Sequence, residues 1–168
     1  MAVSMALVLF GLIMSFIQDL ARTPAYIQAS LTRVNKPERP DFAQYNQLLK
    51  TFAKDGRIDY QKLKASPLLQ AAMDELATTS PDNFKKLDDI ACYWFNAHNL
   101  IAIKVVCDEY PVKTPLKLKR DFIVRLFVVG GKAQSTETIW TDFIHPKLVE
   151  RRKDKAVQAD SIFLLCRA

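Results

Sequence analysis

The sequence predicts an α+β fold, mainly helical, built around a buried central helix over about residues 81–110. Three observations predict it. Apolar residues Phe84, Leu87, Ala91, Trp94, Ile101 and Val105 recur at helical spacing, and Ile90, Ala102 and Val106 widen their face. Two Ser-Pro pairs, Ser66-Pro67 and Ser80-Pro81, each place a capping side chain ahead of proline at the first helical position. The period then changes: residues 122–129 are rich in β-branched and aromatic side chains and precede Gly130-Gly131, which reads as strand and turn.

From the N-terminus, Ala2 to Ile17 carries neither charge nor proline. The run is short of the roughly 20 residues a membrane span needs. It suits a signal-peptide core or an anchor, although no basic segment precedes it, and an amphipathic or buried first helix is the other reading. Residues 1–17 are therefore expected to be a signal peptide or anchor segment. Residues 18–41, with Pro24, Pro37 and Pro40, read as a linker or extended arm. The expected location is periplasmic, secreted or membrane-tethered, with a possible tether through residues 2–17.

Residues 42–168 form the expected folded domain. Tyr45, Leu48, Leu49 and Phe52 resume helical spacing, and Asp55-Gly56-Arg57 breaks it, with Gly56 read as the residue after a helix end. Ile58-Asp59-Tyr60 reads as extended, and Tyr60 to Lys64 as a helical turn. Ser66-Pro67 opens a helix carrying Leu68, Leu69, Ala72, Met73 and Leu76. The central helix starts near Pro81, and Pro111 ends it. Ser135 caps a helix through Ile139, Trp140, Phe143 and Ile144, which Pro146 stops. A last apolar run, residues 162–166, reads as a short buried strand.

Composition excludes several function classes. With only four glycines in 168 residues there is no P-loop and no dinucleotide fingerprint, and no HExxH helix occurs. No Cys/His spacing suggests zinc, so no metal or cofactor is expected. Cys92 and Cys107 fall on one predicted helix, roughly 22 Å apart at about 1.5 Å per residue, too far for a disulfide. The formal charge is +6. Part of the excess lies in Lys117, Lys119, Arg120 and Arg125, and part in residues 147–155. This is either a surface for acidic partners such as anionic lipid or a set of solvated helix ends and loops. No aromatic stacking pattern accompanies it, so specific nucleic-acid binding is not expected.

The candidate site residues cluster in the central helix. Asn96 and Asn99 stand three residues apart inside an apolar segment, where Asn competes with the backbone for hydrogen bonds. They either orient a ligand or tie the helix to a neighbouring loop. His98 is either a general base or a packed ring with one satisfied nitrogen. Cys166 is the plausible nucleophile: it ends the last strand beside Arg167, and a nearby cation lowers a thiol pKa. Its alternative reading is a buried thiol or half of a disulfide. His145 reads as a surface residue, and Trp94, Phe95 and Trp140 as core.

Taken together, residues 87–99 (LDDIACYWFNAHN), 110–113 (YPVK), Val129-Gly130-Gly131-Lys132 with Ser135, and the terminal run 162–166 resemble the DUF547 family, a domain of unknown function common in bacterial exported proteins and found in plants. Upstream, residues 45–49 and 55–60 look like the family's opening segment. The resemblance covers about residues 42 to 166. It implies an exported domain of unknown biochemical function that binds a partner protein or small ligand in a cleft beside Asn96 and Asn99. Three departures stand against it. His98 replaces the family's usual tyrosine. Trp140 and Thr141 follow Ile139, where the family shows Glu and His. Family members continue past the strand ending in Cys166 to a second Cys-Pro, so residues 42–168 read as a partial, C-terminally truncated domain. The alternative function is a thiol-dependent hydrolase or transferase of papain- or transglutaminase-like logic, using Cys166 and His98, and incomplete in this chain.

Overall fold

The computed structural model describes residues 2–146 and 148. The expected strand at 162–166 lies outside them. A long first helix, α1 (Ala2–Leu31), is followed by α2 (Ala43–Phe52), a small hairpin of β1 (Ala53–Lys54) and β2 (Arg57–Ile58), α3 (Tyr60–Lys64) and α4 (Pro67–Thr78). The central helix α5 is Leu87–Glu109, and α6 is Lys119–Val124. A second antiparallel hairpin, β3 (Phe127–Val129) and β4 (Lys132–Gln134), leads to α7 (Thr136–Thr138) and a π-helical turn at Ile139–Ile144. The fold is mainly helical α+β, with α5 in the middle, as the hydrophobic period predicts.

α5 is central because its apolar residues encircle it. Tyr93, Ala97, Leu100, Ile101, Val105 and Cys107 are all fully buried. By length and composition α5 could cross a bilayer, but here it is the core helix of the domain. It starts six residues later than the Ser80-Pro81 signal predicts. Ser80 caps a single 3-10 turn at Pro81–Asn83 instead, and Phe84 then turns extended (φ −69°, ψ 129°). That conformation drops the Phe84 ring edge-on against Tyr93, with centroids 5.7 Å apart. Burial of the ring outweighs one more turn of helix.

Three other expectations are corrected. Residues 18–31 are not a linker: α1 runs through them, Pro24 included. Proline removes one hydrogen bond and crowds the carbonyl four residues back. The helix survives because its inner face, with Ala29 buried, packs on β3 and β4. Only residues 32–41 are an arm, pinned where Asn35 pairs with Thr79. Gly56 does not follow a helix end directly. Asp55 (φ 51°) and Gly56 (φ 72°) form the two-residue turn of the β1–β2 hairpin, the Asp-Gly turn whose twist suits antiparallel strands. Finally, the strand expected over 122–129 is a strand only in its last three residues. Residues up to Val124 are helical, and the hairpin is closed by Gly130 and Gly131, both at positive φ.

The C-terminal end of α4 organises the core. A helix end leaves carbonyls without intrahelical partners. Here four successive carbonyls are taken by three separate elements. Gly130 N–H donates to Leu76 O (3.0 Å) and Gly131 N–H to Ala77 O (2.9 Å). Asn35 N–H donates to Thr78 O (2.7 Å), and the Tyr93 hydroxyl to Thr79 O (2.5 Å). Hairpin, arm and central helix are thereby locked to one point.

Candidate functional site

The sequence candidates on α5 separate once the helix is folded. Asn96 is half-buried and Asn99 is exposed, so the pair is not inside the core. A helix turns about 100° per residue, so Trp94 and His98 lie roughly on the opposite side of α5 from Asn96, with Trp94 buried and His98 partly so. His98 is half-buried. Burial lowers its pKa below the ordinary imidazole value, and a hydrogen bond with the Asn99 side chain partly offsets that. Its ring lies 6.2 Å from that of Trp140, tilted by 57°.

Trp140 is 42% exposed rather than core. The reason is the π-helical turn. Its wider i→i+5 register keeps Ile139 and Ile144 buried and stacks Phe143 on Trp94 at 3.7 Å. Trp140 is left beyond that edge, beside His98. His98, Asn99 and Trp140 thus make an open, mixed aromatic and polar ledge where α5 meets the π-turn. His145 is exposed, as its position at a helix end predicts.

Cys166 lies outside the described residues. Of the other thiols, Cys107 is fully buried. Burial, then the neighbouring Asp108 carboxylate, pushes it up to about 11, against the opposing pull of Lys104 and Lys64. A thiol held protonated is a poor nucleophile. Among the described residues no three His, Cys, Asp or Glu side chains converge as a metal site.

The end of α5 is charged and tied down. Asp108 receives Lys104 from one turn earlier and Arg125 Nη2 at 2.6 Å, while Arg125 Nη1 reaches Glu109 at 3.3 Å. Lys64 Nζ donates to the carbonyls of Asp108 (3.3 Å) and Tyr110 (2.9 Å). Cations at a helix C-terminus complement its dipole and its unpaired carbonyls.

Cavities flank the hairpin and α1. One of about 300 Å³ is lined by Gln28, Asp74, Lys104 and Phe127. A second, of about 310 Å³, is lined by Arg22, Arg120 and Arg125 with apolar residues. Another is a groove of about 710 Å³ along the outer side of α1, at Leu20, Pro24, Ile27 and Leu31. The charge run containing Arg120 and Arg125 is visible in the sequence. Arg22, about one hundred residues upstream, is not recognisable as its partner until α1 folds back.

No family model matches this chain, and no curated protein or solved structure matches it either.

Proposed function

We propose that this chain is a membrane-tethered binding domain, in which α1 holds to a bilayer and the α2–α7 body binds a partner protein or small ligand. The observation that carries the reading is the outer face of α1. Phe10, Ile13, Ile17, Leu20, Ile27 and Leu31 are each about half or more exposed, and they follow one another at three, four or seven residues. That spacing makes one stripe along a helix. A bare apolar stripe of this length is beyond what a soluble surface ordinarily shows. At about 1.5 Å per residue, α1 is roughly 45 Å long, enough to engage hydrocarbon with its uncharged first half. The positive net charge of +6 suits an anionic surface. The DUF547-like segments support an exported domain, and the ledge of His98, Asn99 and Trp140 is the face we assign to the ligand.

Fractionation of cells expressing the full chain tests the tether. The chain is expected in the membrane pellet at its full mass and resistant to a high-salt wash. Ile13→Asp with Ile17→Asp is expected to release it, because each Asp costs about 2.5–3.5 kcal/mol in hydrocarbon. Wild-type chain in the supernatant would overturn the tether. A mature mass shortened by the N-terminal segment would identify that segment as a cleaved leader instead.

A further inference from the structure

The cavity between α1 and α6 has a chemistry that tethering alone leaves unused. It holds about 310 Å³, and Arg22, Arg120 and Arg125 line it beside Ile17, Val124 and Phe127. Among the described residues, none that lines it is acidic. Arg125 is already committed. Its two terminal nitrogens reach Asp108 and Glu109, and its guanidinium sits 5.6 Å over the Phe127 ring. Those bonds fix its place and offset its charge. Arg22 is different. Its Nε is buried, and it alone among the buried side-chain nitrogens and oxygens of the described residues has no hydrogen-bond partner. Native proteins rarely leave such a donor dry. Arg120 is exposed at the rim, and no ion pair engages it among the described residues.

We infer that this cavity takes a phosphate-type oxyanion, whose oxygens supply the acceptor missing at Arg22 and a second one for Arg120. Guanidinium suits this task because its planar donors match two oxygens of one phosphate at once. The source we assign is the headgroup of an acidic phospholipid. Half of the lining is apolar, and Ile17 belongs both to the cavity and to the bare stripe of α1. A headgroup bound here would sit where that stripe meets the lipid. This inference rests on the tether reading, and the test separates the two.

The full chain is sedimented with vesicles of phosphatidylcholine alone and with vesicles of equal parts phosphatidylcholine and phosphatidylglycerol. The tether is read from binding to the first, the oxyanion site from the ratio between them. Wild-type protein is expected to prefer the phosphatidylglycerol vesicles. Arg22→Gln with Arg120→Gln is expected to cut that preference by roughly 25-fold, at about fivefold per basic residue near a lipid surface, without changing binding to phosphatidylcholine. Arg120→Gln alone, at an exposed position, gives the fivefold loss even where the double variant fails to fold. Lys54→Gln with Arg57→Gln removes the same charge from the exposed β1–β2 hairpin. An equal loss in that variant would show a diffuse charge effect and overturn the site. A second arm measures the melting temperature with inorganic phosphate against chloride at matched ionic strength. Stabilisation that Arg22→Lys keeps and the Gln variant loses, without any lipid preference, would overturn the headgroup and assign free phosphate. No preference and no stabilisation would overturn the inference outright.

Discussion

Replacing Tyr93 with Phe deletes one oxygen from the centre of the core, and its effect should change sign with pH. Tyr93 is fully buried, and its hydroxyl donates to Thr79 O at 2.5 Å. Its ring packs against Phe42, Phe84 and Trp94, contacts that Phe retains. At neutral pH the variant therefore loses one hydrogen bond and strands one carbonyl. The cost is about 1 kcal/mol, rising toward about 3 if Thr79 O stays dry. In a chain of this size that lowers Tm by about 2–4 °C per kcal/mol.

Above pH 10 the balance begins to shift the other way. Burial holds the Tyr93 phenol far above its ordinary value, and burial also pushes Tyr45 up to about 12. Once the unfolded phenols ionise near pH 10, the folded chain binds more protons than the unfolded one. Stability then falls as pH rises, by about 1.4 kcal/mol per pH unit for each tyrosine. Those two phenols together contribute roughly 2.7 kcal/mol per unit between about pH 10 and 12, and the raised Tyr60 phenol and Cys107 thiol add to the same alkaline loss. Tyr93→Phe removes one phenol's share, about 1.4 kcal/mol per unit. The two stability curves are expected to cross near pH 11, about where the alkaline loss from Tyr93 equals its hydrogen bond at neutral pH. Urea unfolding from about pH 8 to 12 measures both curves. Parallel curves with no crossing would refute the burial of the hydroxyl, and with it the role of Tyr93 at the end of α4.

Two further outcomes are expected. Gly131→Ala should cost more than the roughly 1–2 kcal/mol of a left-handed residue, because φ is 76° and the added carbon would meet the Val34 side chain. Thermal denaturation of the variant reads this, and an unchanged Tm would mean that the arm does not lie over the turn. His98 should titrate below about 6.5, since burial disfavours its charged form. In the window between its folded pKa and about 6.5 the unfolded chain holds the extra proton. Its contribution to stability is therefore complete above that window and lost as pH falls through it. NMR titration of the His98 ring, assigned with His98→Gln, checks it; a midpoint above 6.5 would place the ring in solvent or beside an acid.

The elements with a strong local signal were legible. The period of α5 is carried by its own residues. The Ser66 side chain accepts from Leu68 N–H as the Ser-Pro pair predicts, and Ser135 forms a reciprocal cap with Thr138. What misled was local chemistry overruled from a distance. Pro24 reads as a break, yet α1 continues because the β3–β4 hairpin supports its inner face. Ser80-Pro81 reads as a helix start, yet burying Phe84 delays α5. Asn96 and Asn99 stand in an apolar run, yet the folded helix leaves Asn96 half-buried and Asn99 exposed, because the run does not say how far round the helix its neighbours pack.

The sites themselves were harder to read for a related reason. A sequence states which groups need a partner but not which partner they obtain. That α4 must end with unpaired carbonyls follows from its length alone. That Gly130, Gly131, Asn35 and Tyr93 supply the donors follows only from closure of three segments remote in the chain. Arg22 poses the same requirement from the donor side. Closure buries its Nε between α1 and the body but brings it no acceptor from the described residues. The carbonyls of α4 are satisfied from within and hold the fold together. The donor of Arg22 finds none among the described residues, and a buried donor of that kind, beside an Arg120 guanidinium that no described ion pair engages, is the arrangement from which the anion site is inferred.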